Sequence, residues 1–434
     1  MSLLHRNDTR GAFPPSWYAA TTDAPPLRPS LKGAEHADVC VVGAGFTGLM
    51  ATLTLARAGR RVIVLDAHRA GFGASGRNGG QVGSGFNQSQ QWIEKHQGHD
   101  AAHALWGMSQ AAKDLVRENC AAFAGDALFR DGIAHGDWSA ADCRESHADA
   151  EYLAKHYGYD QISPLDAAAF QDIVRTKSYV GGTLDMGAGH IHPLRYAVAL
   201  AREAEAAGAL LFDQSEVHHI ARGSPAKVQT GQGHVMADHV ILAGNGYLSG
   251  INKPVNARVM PINSFIAATE PLGDRAAEVL SRDIAVADSK FVVNYFRLSH
   301  DGRLLYGGRE SYGLGFPTDI TTKLRERFEG LFPQIKGAAI DYAWGGTLGI
   351  TMNRMPCVMR AGPNILSASG FSGHGVALSG FSGQVLAEAI IGQSDRFDIL
   401  SDLPMPVFPG AGAFRAPLLT LAMTWYAMRD RLGV

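Results

Sequence analysis

The chain reads as an α/β protein of the doubly wound, nucleotide-binding kind, and three observations carry that reading. An apolar strand at residues 38–42 runs straight into the turn Gly43-Ala-Gly-Phe-Thr-Gly48 and then a helix. A second apolar strand ends in an acid, Asp66, 23 residues after Gly43. Far along the chain, a strand at 364–368 meets another glycine turn at 370–375 and opens a further helix. Strand, tight turn, helix and strand at this spacing form a βαβ unit whose helix N-terminus faces a phosphate.

Taken in order, Pro14-Pro15, Pro25-Pro26 and Pro29 give residues 1–34 the path of an extended arm wrapping onto the body. In the first turn Gly43 makes the bend, Gly45 lets the backbone approach a pyrophosphate, and Gly48 lets helix and strand pack closely. The helix runs from Thr47 to about residue 58, Gly59 ends it, and 61–65 is the next strand. A carboxylate at that strand's end suits the ribose hydroxyls of FAD or NAD, and suits a ribose 2′-phosphate poorly. Phe46, Thr47, Asp66 and Ala67 therefore join Gly43, Gly45 and Gly48 as candidate cofactor contacts. The cluster Ala74-Ser-Gly-Arg-Asn-Gly-Gly-Gln81 follows, near the same strand ends. Ser75, Arg77 and Asn78 offer donors to a diphosphate or a flavin edge, and a purely structural loop is the competing reading.

Residues 90–170 read as mainly helical, with Ala104, Leu105, Met108, Ala111 and Ala112 at helical spacing. In Gly189-His-Ile-His-Pro193, Pro193 suits the first turn of a helix to about 207, after which Gly208 and a strand at 209–212 follow. Residues 235–243 read as β and end in Gly244-Asn-Gly246, and 262–342 alternate as an antiparallel sheet, notably at 290–298 and 303–307. The last turn, Gly370-Phe-Ser-Gly-His-Gly-Val-Ala-Leu378, presents a helix N-terminus suited to the negative charge of a reduced flavin. His374 reads either as a capping or packing residue or as a catalytic one.

Composition narrows the function. A net charge of -2 and a pI near 6.8, with no run of basic residues, exclude a nucleic-acid footprint and point to small-molecule partners. The four cysteines lie far apart with no Cys-x-x-Cys pair, which suits a reducing cytoplasm and neither a zinc site nor a disulfide framework. His218-His219 on a strand point to opposite faces, so no metal site is expected. No signal peptide or membrane span is expected, and the expected location is cytoplasmic. The apolar segment 416–432, with Arg429, Asp430 and Arg431 near its end, reads as an amphipathic helix docked on the body or touching a membrane surface.

The three glycine-centred segments, in this order and at these separations, resemble the D-amino-acid oxidase-like family of FAD-dependent amine oxidoreductases, over nearly the whole chain after residue 34. Gly73-Ala-Ser-Gly-Arg-Asn-Gly-Gly-Gln81, Gly189-His-Ile-His-Pro193, Ala268-Thr-Glu-Pro-Leu272, Tyr295-Phe-Arg-Leu298, Arg303-Leu-Leu-Tyr-Gly-Gly-Arg309, Asp341-Tyr-Ala-Trp-Gly-Gly346 and Gly373-His-Gly-Val-Ala377 are similar to its γ-glutamylputrescine oxidase branch. The resemblance implies a discontinuous Rossmann-like FAD-binding domain at 35–105, 186–261 and 343–434. Into it is inserted an α+β substrate domain, 106–185 and 262–342, on a mixed or antiparallel sheet. Val217, Ala243, Gly244, Gly346, Gly373, His374, Gly375, Val376 and Ala377 are further cofactor contacts that it implies.

Two departures from the family stand out. Some relatives tether the flavin through a cysteine shortly before the last glycine turn; here that stretch is about 348–350 and Cys357 comes several residues later, so noncovalent FAD is expected. Sarcosine-oxidase-like relatives carry two lysines where this chain has Ala377 and about Leu305, which bears on both a carboxylate clamp and oxidase activity. The implied chemistry is oxidation of a C–N bond: hydride passes from the amine's α-carbon to flavin N5, the imine hydrolyses to an aldehyde, and O2 becomes H2O2. Handing the electrons to quinone or a protein acceptor is the alternative; a flavin-bearing subunit and an NAD enzyme are further readings. The expected substrate is a γ-glutamylated amine or an ω-amino or N-substituted amino acid. Tyr295, Arg297, Arg309, Trp344 and His374 are the candidates around it. Tyr295 and Trp344 would form an apolar wall that favours the neutral amine, and an arginine would pair with a distal carboxylate. Core packing of the aromatics and surface placement of the arginines are the competing readings.

Overall fold

The computed structural model describes residues 3–409 apart from Ser249, Tyr312 and Leu314. At its centre lies the strand Gly33–Val42, paired in parallel with Val62–Leu65 on one side and Gly233–Leu242 on the other. Leu210–Phe212 and Ile365–Ser369 extend the sheet in parallel, Cys357–Gly362 adds an antiparallel edge, and the hairpin Val217–Ala221 with Ala226–Thr230 branches from Gly233–Leu242. The apolar runs in the central strands are explained by burial on both faces. Val39, Val41, Val62 and Val64 pack under the helices Phe46–Arg57, Pro193–Ala206 and Gly375–Ile390. Cys40, Val42, Ile63 and Leu65 pack on the other face, against Val217 and Val228 of the hairpin.

A second sheet runs in the spatial order Ile340–Ile350, Met260–Thr269, Leu304–Ser311, Tyr295–Leu298, Ala285–Asp288, Arg130–Asp137, Gly181–His190 and Gln81–Val82, with Ile162–Asp166 beside Gly181–His190. Its neighbours are antiparallel except Ala285–Asp288 with Arg130–Asp137, so the sheet is mixed. Phe265, Phe296 and Tyr306 pack there against Phe328 of the helix Thr321–Leu331 and Phe332 just beyond it. The expected α/β class, with a second mixed sheet, is borne out.

Local readings differ in three places. The stretch 90–170 does contain the helices Gln90–Gln97, His99–Ala122 and Ala140–Tyr157, yet Arg130–Asp137 and Ile162–Asp166 are strands. Neither has strand-like composition, and both are held by pairing to Gly181–His190, itself glycine-rich; tertiary pairing outweighs propensity there. Gly136 and Gly182 allow this closeness, since a Cβ on Gly182 would stand 2.1 Å from His135 O. At 290–298 only Tyr295–Leu298 is strand, and within 262–342 the helix Thr321–Leu331 interrupts the sheet pattern.

The N-terminal arm is anchored as well as draped. Trp17 and Tyr18 are fully buried, Tyr18 edge-on to Trp344, and Arg28 bonds both oxygens of Glu205. The amphipathic segment at 416–432 lies outside the described residues. Among the described residues, no helix is long and apolar enough to cross a membrane.

Candidate active site

A cavity of about 800 Å³ runs between the two sheets. At one end it meets the C-terminal ends of the parallel strands, where open α/β sheets place their ligands: Val42, Leu65 and Ala243 line it. The turn there is backbone brought against backbone. Gly43 has φ +105°, and a Cβ on it would lie 2.9 Å from Ala243 O. A Cβ on Gly48 would lie 1.9 Å from Gly43 O, so this glycine is what lets the helix start so close to the turn. Gly48 does not itself line the cavity; Gly43, Gly45, Phe46 and Thr47 do.

Asp66 stands beside the turn, half-buried, with Oδ2 accepting from Ala44 N–H (2.8 Å) and Oδ1 from His68 N–H (2.8 Å). Burial pushes its carboxyl up to about 6, against the pull of those two N–H groups. Its remaining lone pairs are available to a pair of hydroxyls. Ala67, Val217 and Gly244 complete this end.

The loop 74–81 forms the middle of the wall, and its side chains mostly hold the loop itself. Asn78 Nδ2 donates to Ala74 O and Ser75 O while its Oδ1 accepts from Gly80 N–H. Ser75 Oγ accepts from Phe46 N–H at 2.9 Å, and Gln81 Nε2 reaches across to Val286 O. Arg77 bonds Phe72 O, Gly345 O and the arm's Asp8, yet its buried Nη2 has no hydrogen bond. Ser75, Arg77, Asn78, Gly79 and Gln81 line the cavity; Gly76 and Gly80 face Gly71 O and Ile191 O instead.

Arg297 and Trp344 do not line the cavity, which corrects the expectation for both. Arg297 shares a strand face with Tyr295 two residues away, but the loop comes between it and the cavity. Its Nε donates to Gly79 O (3.0 Å) and Nη2 to Ile191 O (3.1 Å). Trp344 Nε1 donates to Arg77 O (3.0 Å) from behind the same loop. Both buttress the wall. Tyr295 does line it, boxed between backbones: a Cβ on Gly79 would sit 2.8 Å from its ring and one on Gly307 2.1 Å. Its hydroxyl lies 3.1 Å from Ser264 Oγ. Gly308, next to Arg309, is on the wall; the Arg309 side chain lies outside what the structure describes.

The last glycine turn closes the cavity with Gly373, His374, Gly375 and Val376, and Gly346 lines it nearby; Ala377 is turned into the helical core. The helix Gly375–Ile390 starts here, and His374 makes no capping bond with its side chain. That ring lies over Gly83, where a Cβ would stand 2.7 Å from Cε1, and its buried Nε2 lacks a well-formed hydrogen bond. Burial first, and the nearby Lys113 ammonium in addition, hold His374 below its ordinary value, so it is neutral at pH 7. A close fit between helices sets this end too: a Cβ on Gly383 would meet Thr47 O at 2.1 Å. Two helix N-termini thereby open on one cavity.

Several residues on or behind the wall had no signal in the sequence. Lys113, 3% exposed, donates to Ser84 Oγ (2.7 Å) and Tyr159 OH (2.8 Å). Both hydroxyls in turn donate to Asp185, at 2.5 and 2.7 Å. An ammonium and a carboxylate are thus joined through two hydroxyls, with Ser84 and Asp185 on the cavity wall. Burial brings the Lys113 ammonium down to about 8. Asn245, Arg354 and Ser372, all lining the cavity, adopt positive φ (48°, 63° and 53°), a conformation costing on the order of 1 kcal/mol for a non-glycine residue.

The family model described as FAD dependent oxidoreductase (DAO) matches residues 38–389. The chain belongs to this family. It is 40% identical to a probable oxidoreductase, OrdL, of Rhizobium meliloti (96% of this chain, 97% of that protein). It is 38% identical to the gamma-glutamylputrescine oxidoreductase of Escherichia coli (96% and 99%). Glycine oxidase from Geobacillus kaustophilus has the same fold, with a TM-score of 0.70 at 19% identity over 87% of this chain and all of that one.

The residues of this flavoenzyme fit FAD. The glycine cradle at Gly43–Gly48 admits a diphosphate where any side chain would collide, and the Asp66 oxygens suit a ribose diol. The unspent N–H of Arg77, Nε2 of His374 and the uncapped helix at Gly375 suit the polar groups of a flavin. Among the described residues, no cluster of three metal-ligating side chains occurs.

Proposed function

We propose that the chain oxidises a C–N bond of a small amine, a γ-glutamylated amine or an ω-amino or N-substituted amino acid, with FAD held noncovalently. The observation that carries this reading is continuity: one cavity joins the nucleotide cradle to a chamber lined by Tyr295, Ser264 and Asp185 of the second sheet. The likeness to gamma-glutamylputrescine oxidoreductase over 96% of the chain supports the substrate class. When bound, FAD supplies the hydride acceptor, so that RCH2NHR′, O2 and water give RCHO, R′NH2 and H2O2, with R′ a hydrogen for a primary amine.

The chain's own contribution is binding and electrostatics. The boxed Tyr295 ring is a fixed apolar surface that favours the neutral, reactive form of an amine. The helix N-terminus at Gly375 and the neutral His374 would accommodate negative charge on the bound cofactor. Noncovalent binding is supported by Cys357, whose thiol is buried among Val255 and Val259 away from the cavity. The cysteines, all four unpaired, are in keeping with a reducing cytoplasm.

A second reading, transfer to quinone or a protein acceptor instead of O2, is favoured by Leu305 and Ala377, both buried and apolar at the positions where sarcosine-oxidase-like relatives carry lysine. Anaerobic mixing of the purified yellow protein with γ-glutamylputrescine tests the main proposal. Bleaching of the flavin is expected; a flavin that stays oxidised with every polyamine conjugate, N-methyl amino acid and ω-amino acid would falsify it. Peroxide formed under air, set against turnover with an artificial acceptor, separates oxidase from dehydrogenase. Acid precipitation is expected to leave the flavin in the supernatant.

A further inference from the structure

Among the described residues, most of the charge on the cavity wall is accounted for. Asp66 accepts two backbone N–H groups, Asp185 is joined to Lys113 through hydroxyls, and Glu216 bonds His5 at 2.7 Å. Asp288 is saturated by Trp138 Nε1, Asn294, Lys290 N–H and Tyr179 OH. Of the two arginines that line the cavity among the described residues, Arg77 is tied to Asp8 and two carbonyls. Arg354 is different. Its guanidinium has no hydrogen bond or ion pair among the described residues, and the Phe291 ring lies 5.8 Å from its Cζ, centroid to carbon.

Arg354 is nevertheless held with care. It sits at φ +63° in the loop between Ile340–Ile350 and Cys357–Gly362. Thr351 Oγ1 donates to Met355 O (2.7 Å) across the loop, Gln88 Nε2 to Asn353 O (2.9 Å), and Asn353 Nδ2 to Pro404 O (2.6 Å). Thr351 N–H is bonded to Ser372 Oγ (3.2 Å), which joins the loop to the turn that closes the cavity. Phe291 belongs to the segment before Tyr295, on the side of the second sheet. Arg354 therefore stands where the cofactor-side loops meet the substrate-side segment. A cation carried on a fixed loop, with an unspent donor fork and an aromatic ring near it, recognises a carboxylate by two parallel N–H···O bonds.

We propose that Arg354 binds the carboxylate at the far end of the substrate, so that the enzyme selects amines carrying an acidic group distant from the C–N bond that reacts. This rests on the amine-oxidising reading above. It assigns the clamp to a residue other than Arg297, whose donors are spent on the loop at 79–80.

The test uses the holoenzyme and γ-glutamylbutylamide, which keeps the carboxylate and has no terminal amine to oxidise, alongside its α-carboxamide. Isothermal titration of the wild-type protein is expected to show the carboxylate form binding at least tenfold tighter than the carboxamide. Arg354→Gln should abolish that preference with flavin content unchanged, and Arg354→Lys, which keeps the charge and loses the fork, should retain part of it. Equal binding of the two ligands by the wild type, or an intact preference in Arg354→Gln, overturns the proposal. Binding of this ligand does not depend on turnover. A flavin unbleached by amines alongside an Arg354-dependent preference would therefore remove the functional reading and leave the site. Bleaching by amines with no role for Arg354 would do the reverse.

Discussion

The two ends of the cavity are made of different material. At the nucleotide end the ligand-facing surface is mostly main chain, kept open by Gly43, Gly45 and Gly48, with Asp66 as its main charged group. At the end beside the second sheet it is side chains such as Tyr295, Ser264 and Asp185, from segments far apart in the chain. Backbone surfaces tolerate no added atom and give one answer for one cofactor. Side-chain surfaces can be exchanged one residue at a time, so substrate choice can drift while the cofactor stays. The comparison predicts that a single methyl group does opposite kinds of damage at the two ends.

Gly48→Ala is expected to have the largest effect. Its Cβ would press on Gly43 O at 1.9 Å, a backbone atom that cannot rotate away, at a cost of about 3 kcal/mol for forced overpacking. The purified variant should lack flavin absorbance and melt early. Gly307→Ala adds the same methyl 2.1 Å from the Tyr295 ring. That variant should keep its flavin and lose substrate turnover. Flavin retained by the first, or lost by the second, breaks the distinction between the ends.

Asp66 sharpens it with a sign. The carboxyl is raised to about 6 in the folded protein without cofactor, so ionising it works against that fold as the pH rises through 6. A ribose diol donates to the ionised form, so FAD affinity should be full above pH 6 and fall as the pH drops below it. Asp66→Asn should weaken FAD binding on the order of 100-fold at pH 7.5, the loss of hydrogen bonds to a charged group. The same variant should show no affinity slope around pH 6. An unchanged slope would mean that Asp66 does not hold the ribose.

The same difference decides what could be read from sequence. Gly43, Gly45, Gly48 and Asp66 were legible because close backbone approach admits only glycine and because one strand and one helix fix their spacing. Lys113, Ser84, Tyr159 and Asp185 come from four segments, joined by hydrogen bonds that no periodicity records. Arg297 and Trp344 carried the right chemistry on the right strands, but the loop 77–80 lies between them and the cavity. Strand alternation gives the face of a sheet and says nothing of a loop laid over it. The strands Arg130–Asp137 and Ile162–Asp166 were hidden for a related reason, since their partner strand holds them rather than their own composition.

Lys113 lies between these cases, as a positioning residue behind the wall. With its ammonium brought down to about 8, it is charged below that pH and neutral above, and Asp185 loses its counter-charge accordingly. The rate of anaerobic flavin reduction should show a step near pH 8 in the wild type. Lys113→Met should lack that step and lose about tenfold in kcat/KM with flavin content unchanged, in line with the loss of one charge-assisted contact. An unaltered pH profile in the variant would make the network purely structural.

Tyr295→Phe is the smallest expected effect and the sharpest probe of the comparison. The ring is held by the backbones of Gly79 and Gly307, and its phenylalanine counterpart keeps every ring atom that meets them. Removing the hydroxyl forfeits the 3.1 Å contact with Ser264 Oγ, worth about 1 kcal/mol at most where the site is partly open. A loss of no more than about fivefold in kcat/KM follows, whereas Tyr295→Ala, which removes the plane itself, should lose far more. If the phenylalanine variant instead fell by three orders of magnitude, the hydroxyl would be moving a proton during the reaction. The substrate end would then be a site of acid–base chemistry as well as a surface of recognition, and the division of labour between the two ends would have to be drawn elsewhere.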